Sequence, residues 1–167
     1  MIGRIIGSVR RNHALEHATV SVLLSRMGPN VRLVGRAVSD GFYIYSTSLK
    51  PQQLESAAEE ALDRMQAGES HLAVSPLCGT NLAVGGSLAG LAAMLAVGGT
   101  AQKGDRWERM PNVLTAAMLA VMAGQPLGRL AQKYLTTSPD LKATTITGLR
   151  EGGNGRGRYI KIETSRA

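Results

Sequence analysis

Two uncharged stretches decide the fold: LAVGGSLAGLAAMLAVGG at residues 82–99, and residues 110–128, which contain VLTAAMLAVMAG. A helix needs roughly 20 apolar residues to cross a bilayer, and about 17 is the lower bound. Both stretches meet this length, the second narrowly. A small soluble domain rarely buries two helices that are apolar on every face. The pattern therefore predicts a hairpin of two transmembrane helices within residues 81–128.

A short charged segment, TAQKGDRWERMP, separates the two stretches. Trp107 lies in this segment, where an aromatic side chain at the membrane interface is expected. Gly86 and Gly90 form a GxxxG pair, so we expect the second helix to pack closely against them. Neither stretch contains an ionisable residue, which argues against a channel or transporter subunit.

The sequence before the hairpin predicts helix, strand, strand, helix and a short strand. Asp40-Gly41 is typical of a type I′ turn between the two strands, and Pro51 begins the second helix. Its apolar stripe is Leu54, Ala58, Ala61, Leu62 and Met65. The predicted elements are a helix at residues 12–27, strands at 31–38 and 42–47, a helix from residue 51 that ends at Gly68, and a strand at 72–74.

The sequence after the hairpin predicts an amphipathic helix at residues 126–135 that lies along the membrane surface, then strands at 144–150 and 158–164 around EGGNGRG. A two-stranded hairpin is only marginally stable alone, so we expect these strands to join the earlier pair in one sheet. The predicted class is α+β: residues 1–80 and 129–167 form a small cytoplasmic domain of helices and antiparallel sheet, interrupted by the transmembrane hairpin at 81–128.

The charge distribution favours a membrane protein over a nucleic-acid-binding protein. The net charge is +7, with eight lysines and arginines before residue 70, three in the middle and eight after residue 128. Basic clusters near both ends predict a multi-pass protein of the inner membrane with both termini in the cytoplasm.

Since Cys78 is the only cysteine, no internal disulfide forms. The first residues are too short and too charged for a cleaved signal.

The segment RRNHALEHATV contains the clearest candidate for chemistry. His13 and His17 are four residues apart, so they share one helix face, and Glu16 lies beside them. This is the HxxEH pattern, in which two histidines bind zinc and the glutamate activates a water molecule. The pattern is short and also occurs by chance. The same face continues into Val20 and Leu24, so we expect the cluster to point inward.

A second polar cluster, LCGTN at residues 77–81, precedes the first apolar stretch. Cys78 is the predicted third zinc ligand, and we expect His13, Glu16 and His17 to face Cys78 and Asn81. A thiol is also common as a small buried apolar group, so both interpretations stay open. The alternative third ligands are His71, Glu55, Glu59 and Glu60, although the three glutamates also fit a solvated helix face.

Several of these motifs resemble an uncharacterised prokaryotic integral-membrane protein family known from cyanobacteria and other phototrophic or soil bacteria. The likeness rests on NHALEHAT, the GFYIY strand, the EALDRM helix, CGTN and the two apolar spans, and it covers most of residues 9–150. It implies the membrane architecture and carries no activity. The similarity to inverted zincins is confined to His13, Glu16 and His17, since no downstream glutamate ligand is identifiable.

The sequence leaves two functions open. The first is a membrane-anchored accessory or assembly protein whose cytoplasmic domain binds another membrane protein or a second copy of itself, with a bound metal such as zinc. The second is a membrane-associated, peptidase-like zinc hydrolase in which His13 and His17 bind the metal and Glu16 is the general base. The substrate, the partner and the oligomeric state do not follow from the sequence.

Overall fold

The protein combines four α-helices with one four-stranded antiparallel sheet over the residues that a computed structural model describes, 2–98, 107–154 and 157–166. This confirms the predicted α+β class. The helices are α1 (Ile2–Met27), α2 (Pro51–Gln66), α3 (Gly79–Gly98) and α4 (Met110–Ala131). The strands are β1 (Val34–Val38), β2 (Gly41–Tyr45), β3 (Thr144–Asn154) and β4 (Gly157–Arg166). A 3-10 turn spans Ser70–Ala73, and a π-helical turn spans Gln132–Thr136.

The chain divides into two compact units. The first unit comprises Met1–Ser75 and Lys133–Ala167, and the second comprises Pro76–Gln132. The first contains α1, α2 and the whole sheet, and the second contains α3 and α4. Two predicted features lie outside the described residues: most of the charged connection, residues 99–106, and the centre of the glycine-rich turn, residues 155–156.

The sheet of the first unit joins strands from the two ends of the chain. Its strand order is β1-β2-β4-β3. β2 pairs with β4 in antiparallel register, with Phe42 opposite Ile162 and Ile44 opposite Ile160. The predicted single sheet is therefore confirmed. Neither two-stranded pair could persist alone, and together they give helices α1 and α2 a continuous surface to cover.

The core of the first unit lies between this sheet and the two helices. Alternate residues of a strand point to opposite faces, and the inner face of the two central strands is fully buried at Phe42, Ile44, Ile160 and Ile162. Tyr43, Tyr45 and Tyr159 lie on the outer face, where their rings contact one another. All five residues of the predicted apolar stripe of α2 are buried, so its predicted orientation is confirmed.

The turn between β1 and β2 differs from the prediction. Val38 pairs with Gly41, so Ser39 and Asp40 form the turn. A type I′ turn needs positive φ at both central residues, and the described non-glycine residues have none. The predicted type I′ turn at Asp40-Gly41 is therefore wrong. Gly41 has φ of +144°, and a Cβ there would overlap the Ile162 carbonyl of β4. Glycine at this position allows the close approach of β2 and β4.

Three boundary predictions are also wrong. Helix α1 begins at Ile2, well before residue 12, because a glycine inside a helix costs only about 1 kcal/mol relative to alanine. Residues 72 and 73 belong to a 3-10 turn rather than to a strand, and Val74 follows that turn, with its amide donating to the His71 carbonyl. Residues 126–135 form no separate surface helix, since α4 continues through Pro126 and into the π-helical turn.

The second unit is an antiparallel helical hairpin, as predicted. Gly124 of α4 lies against Gly85 of α3, and Gly128 lies against Asn81. At the other end, Arg109 donates a hydrogen bond to the Val97 carbonyl at 3.2 Å. The predicted contact at Gly86 and Gly90 is wrong, because a Cβ at either residue would meet no atom within 4 Å. A helix with glycine on several faces does not reveal which face is packed.

The two helices of this unit are long and apolar enough to cross a membrane. In the apolar window of each, 11% of the residues are buried. Large apolar side chains are exposed on both helices, among them Leu82, Met94, Met118 and Met122. Trp107, at 76% exposure, lies shortly before α4. The core helix of a soluble protein would instead bury most of its apolar surface.

Candidate functional site

Helix α1 places the HxxEH residues on the side that faces the interior of the first unit. Glu16 and His17 are buried, with 7% and 4% of their surface exposed, and His13 is half-buried. The following residues Val20 and Leu24 are also half-buried. The expectation that this helix face points inward is therefore confirmed. Buried polar groups need partners, and these partners restrict the chemistry that the cluster can perform.

Each histidine is held by a backbone carbonyl from a different part of the first unit. Nδ1 of His13 lies 3.0 Å from the carbonyl oxygen of Thr136, at the end of the π-helical turn. Nδ1 of His17 lies 2.8 Å from the carbonyl oxygen of Ala73, in the 3-10 turn. A carbonyl oxygen can only accept a hydrogen bond, so both Nδ1 atoms carry a proton. In a neutral imidazole, the lone pair is then on Nε2.

The two imidazole rings contact each other. Their centroids are 4.3 Å apart with an interplanar angle of 60°, and a ring nitrogen of His13 lies within 4.8 Å of one of His17. One turn of helix separates the two residues, and side chains at this spacing are neighbours. Two imidazoles this close, both in the tautomer that carries the lone pair on Nε2, form a pair of nitrogen donors of the kind that transition-metal ions bind.

Nearby groups fix the position of the carbonyls that hold the histidines. Nη2 of Arg10 donates to the carbonyls of Tyr134 and Thr137, both at 2.9 Å. The Ser138 amide donates to the Arg10 carbonyl at 3.0 Å. These bonds tie the segment after the π-helical turn to α1, so the Thr136 carbonyl that holds His13 is itself held in place. Hydrogen bonds of this kind orient a metal-binding histidine.

Glu16 lies against strand β1. A Cβ built on Gly35 would overlap the Glu16 carboxylate, so glycine at residue 35 provides the space for this side chain. Both residues belong to the first unit. The sequence pattern identified Glu16 as a general base, and it held no signal that Gly35 would be its neighbour.

Cys78 and Asn81 belong to the second unit, whereas the histidines belong to the first. The predicted approach of these two groups stays a prediction. Cys78 is buried, and its Sγ accepts a hydrogen bond from the Thr80 amide at 3.4 Å, at the start of α3. Asn81 donates to the Pro76 carbonyl at 2.9 Å and accepts from Gln132 at 2.8 Å. The CGTN segment thus links the beginning of α3 to the end of α4.

The alternative third ligands lie on other surfaces of the first unit. Glu55 and Glu59 are exposed on α2, as a solvated helix face predicts. Glu60 forms ion pairs with Arg26 and Arg64. His71 is exposed in the 3-10 turn, two residues before the Ala73 carbonyl that holds His17. Sequence reasoning missed the roles of Thr136 and Ala73, because a backbone carbonyl leaves no signal in the residue type.

Comparisons with known proteins place these residues in a wider group. The family described as "Domain of unknown function (DUF6391)" matches residues 8–149, which include His13, Glu16, His17 and Cys78. An uncharacterized protein of Picosynechococcus sp. (strain ATCC 27264 / PCC 7002 / PR-6) is 36% identical over 142 residues. The match covers 78% of this chain and 66% of that relative, just under two thirds of its length. No solved structure matches the chain.

Proposed function

The chain belongs to the DUF6391 family, and from its own residues we propose that it is a membrane-anchored accessory protein whose water-facing unit binds zinc through His13 and His17. The observation that carries the metal proposal is the pair of hydrogen bonds from Nδ1 of each histidine to a backbone carbonyl. Histidines that bind metals almost always donate their other ring N–H to such a group, which orients the ring and fixes the tautomer.

The anchor in this proposal is the helical hairpin of the second unit. Both helices have the length and composition of a membrane span, and their apolar side chains are largely exposed. An antiparallel hairpin returns the chain to the side from which it entered. Both termini then lie on one side, and the lysines and arginines that flank the hairpin favour the cytoplasm of a multi-pass inner-membrane protein.

Zinc is the metal that best suits the donor set. Imidazole nitrogen is a good ligand for zinc and for the neighbouring transition metals, whereas magnesium and calcium prefer oxygen. Cys78 is the proposed third ligand, because thiolate sulfur raises the preference for zinc. A site with three protein ligands keeps a fourth position for water or for a group from a partner protein. In an accessory protein, such a site serves to stabilise the cytoplasmic unit or to recognise a partner.

Metal analysis of the detergent-purified full chain tests this proposal. We expect one zinc ion per chain, and we expect His13→Ala and His17→Ala each to remove it. After cobalt replacement, loss of the thiolate-to-cobalt absorption band in Cys78→Ser identifies the sulfur ligand. His71→Ala is the matched control because His71 is exposed, and it should retain the metal. Wild-type protein that neither purifies with zinc nor takes up cobalt contradicts the proposal.

The hydrolase alternative gives Glu16 a different role. A general base must face a metal-bound water, whereas the Glu16 carboxylate lies against Gly35 of β1. This contact favours a role in packing and hydrogen bonding. Glu16→Gln distinguishes the two functions: in a hydrolase it abolishes peptide hydrolysis and leaves the metal bound, and in the proposed accessory protein it changes thermal stability only.

A further inference from the structure

A small polar cleft lies in the first unit, away from the histidines' carbonyl partners, between the first half of α1 and the ends of the sheet. Its volume is about 60 Å³, and Ser8, Arg11, Thr144 and Arg166 are among its lining residues. It adjoins a larger groove of about 680 Å³, since Ser8, Arg11 and Arg166 line both. The cleft has room for a few water molecules, which suits a small ion or a single polar headgroup.

The charges around the cleft favour an anion. Arg11 and Arg166 repel each other, and Arg4 lines the adjoining groove. Among the described lining residues of the cleft and groove there is no acidic side chain. The nearest carboxylate contact is Asp140, whose Oδ2 lies 3.3 Å from Nη2 of Arg166. One exposed carboxylate balances only part of this positive charge. An oxyanion between the two guanidinium groups would relieve their repulsion.

Thr144 supplies an independent sign of a ligand. This residue is 3% exposed, it lines the cleft, and its buried Oγ1 has no hydrogen-bond partner. Neighbouring polar groups are satisfied: Asn12 donates to the Val38 carbonyl at 2.8 Å and accepts from Thr164 at 2.7 Å. A buried hydroxyl without a partner costs free energy, and a bound oxyanion would accept its hydrogen bond.

We propose that this cleft binds the phosphate group of an anionic phospholipid or free phosphate, with Arg11 and Arg166 supplying the charge and Thr144 a hydrogen bond. The beginning of α1 favours the lipid as the source. The first turns of α1 expose three isoleucines, Ile2 (75%), Ile5 (50%) and Ile6 (54%). The residues interspersed with them, Gly3, Arg4 and Gly7, line the groove. Exposed aliphatic side chains beside a basic groove are typical of a helix that lies in a membrane interface.

Calorimetric titration of the full chain in a non-ionic detergent tests the site. The probes are inorganic phosphate, dioctanoyl phosphatidylglycerol and, as the zwitterionic control, dioctanoyl phosphatidylcholine. We expect phosphatidylglycerol to bind more tightly than phosphatidylcholine. Competition by inorganic phosphate assigns the phosphate group as the ligand. If inorganic phosphate binds and the phospholipid does not, the ligand of the cleft is free phosphate. If the phospholipid binds and inorganic phosphate does not, the ligand is the lipid headgroup.

Two variants locate the binding. Arg11→Gln combined with Arg166→Gln should weaken binding by about 100-fold or more, since each charged hydrogen bond contributes roughly 10-fold or more. Thr144→Val should weaken binding by about tenfold and should not lower the stability of the ligand-free protein, because its buried hydroxyl has no partner to lose. Arg32→Gln is the control for loss of a surface charge, since Arg32 is exposed beyond the far end of α1. Equal affinity of the wild type and the double arginine variant would overturn the proposal.

Discussion

The contact between α3 and α4 gives the sharpest prediction about stability. A Cβ at Gly124 would lie 2.5 Å from Cα of Gly85 and 3.1 Å from its backbone nitrogen. Carbon atoms in favourable contact are about 3.5–4.0 Å apart. Both neighbours are backbone atoms, so they cannot rotate away from a new methyl group. In Gly124→Ala the two helices must therefore separate by roughly 1 Å, which weakens packing along the hairpin.

The magnitude follows from two opposing effects. Overpacking at a close contact costs about 1–3 kcal/mol, while alanine gains about 1 kcal/mol over glycine in helix propensity. Gly124→Ala should therefore lower the free energy of unfolding by about 0–2 kcal/mol. Gly90→Ala is the matched control, because a Cβ there meets no atom within 4 Å. It should keep the propensity gain and raise the free energy by up to about 1 kcal/mol.

Both variants are compared with the wild type in the full chain, in mixed detergent micelles titrated with sodium dodecyl sulfate, with helix content followed by circular dichroism. The quantity to compare is the difference in free energy of unfolding between the two variants, expected at about 1–3 kcal/mol. If Gly124→Ala is as stable as Gly90→Ala, the close packing of Gly85 and Gly124 is refuted.

Three further predictions concern the first unit. Phe42→Ala should cost about 3–5 kcal/mol in chemical denaturation, because this side chain is fully buried. Gly35→Ala should cost about 1–3 kcal/mol by displacing Glu16. If thermal denaturation shows that Gly35→Ala loses less stability than a surface Gly→Ala control, the contact between Gly35 and Glu16 is contradicted. The hydrogen bond from Lys161 lowers the pKa of Asp40 below the ordinary value of an aspartate. The pair therefore stabilises the fold above that ordinary value, and the contribution is lost as the pH falls through the lowered pKa. Asp40→Asn should lower the free energy of unfolding by about 0.2–1 kcal/mol near neutral pH. It should also reduce the loss of stability that the wild type shows at acid pH, and an unchanged loss excludes this pair as a cause of acid destabilisation.

The candidate metal site was only partly predictable. His13 and His17 stand out by spacing, and the apolar residues after them indicate that their helix face points inward. Their hydrogen-bond acceptors are backbone carbonyls of Ala73 and Thr136, which are distant in sequence. Every residue has such a carbonyl, so only the folded chain identifies the two that hold the rings. The space for Glu16 likewise depends on where β1 places Gly35.

The cleft at Thr144 was not predictable at all. Arg11 and Arg166 lie near opposite ends of the chain, and no motif in the sequence connects them. The sheet places the end of β4 beside the start of β3, with Arg166 opposite Thr144, and α1 packs across the inner face of the sheet. The tertiary fold therefore creates this concentration of positive charge.

The sequence by itself determined the elements whose periodicity is strong: the apolar stripe of α2, the two apolar helices, and the need for four strands to share one sheet. Hydrophobic pattern and length carry this information locally. Tertiary structure decided which glycines of the hairpin are in contact, how β1 turns into β2, and how far α1 and α4 extend. These features depend on small energy differences between local alternatives, and contacts with residues distant in sequence select among them.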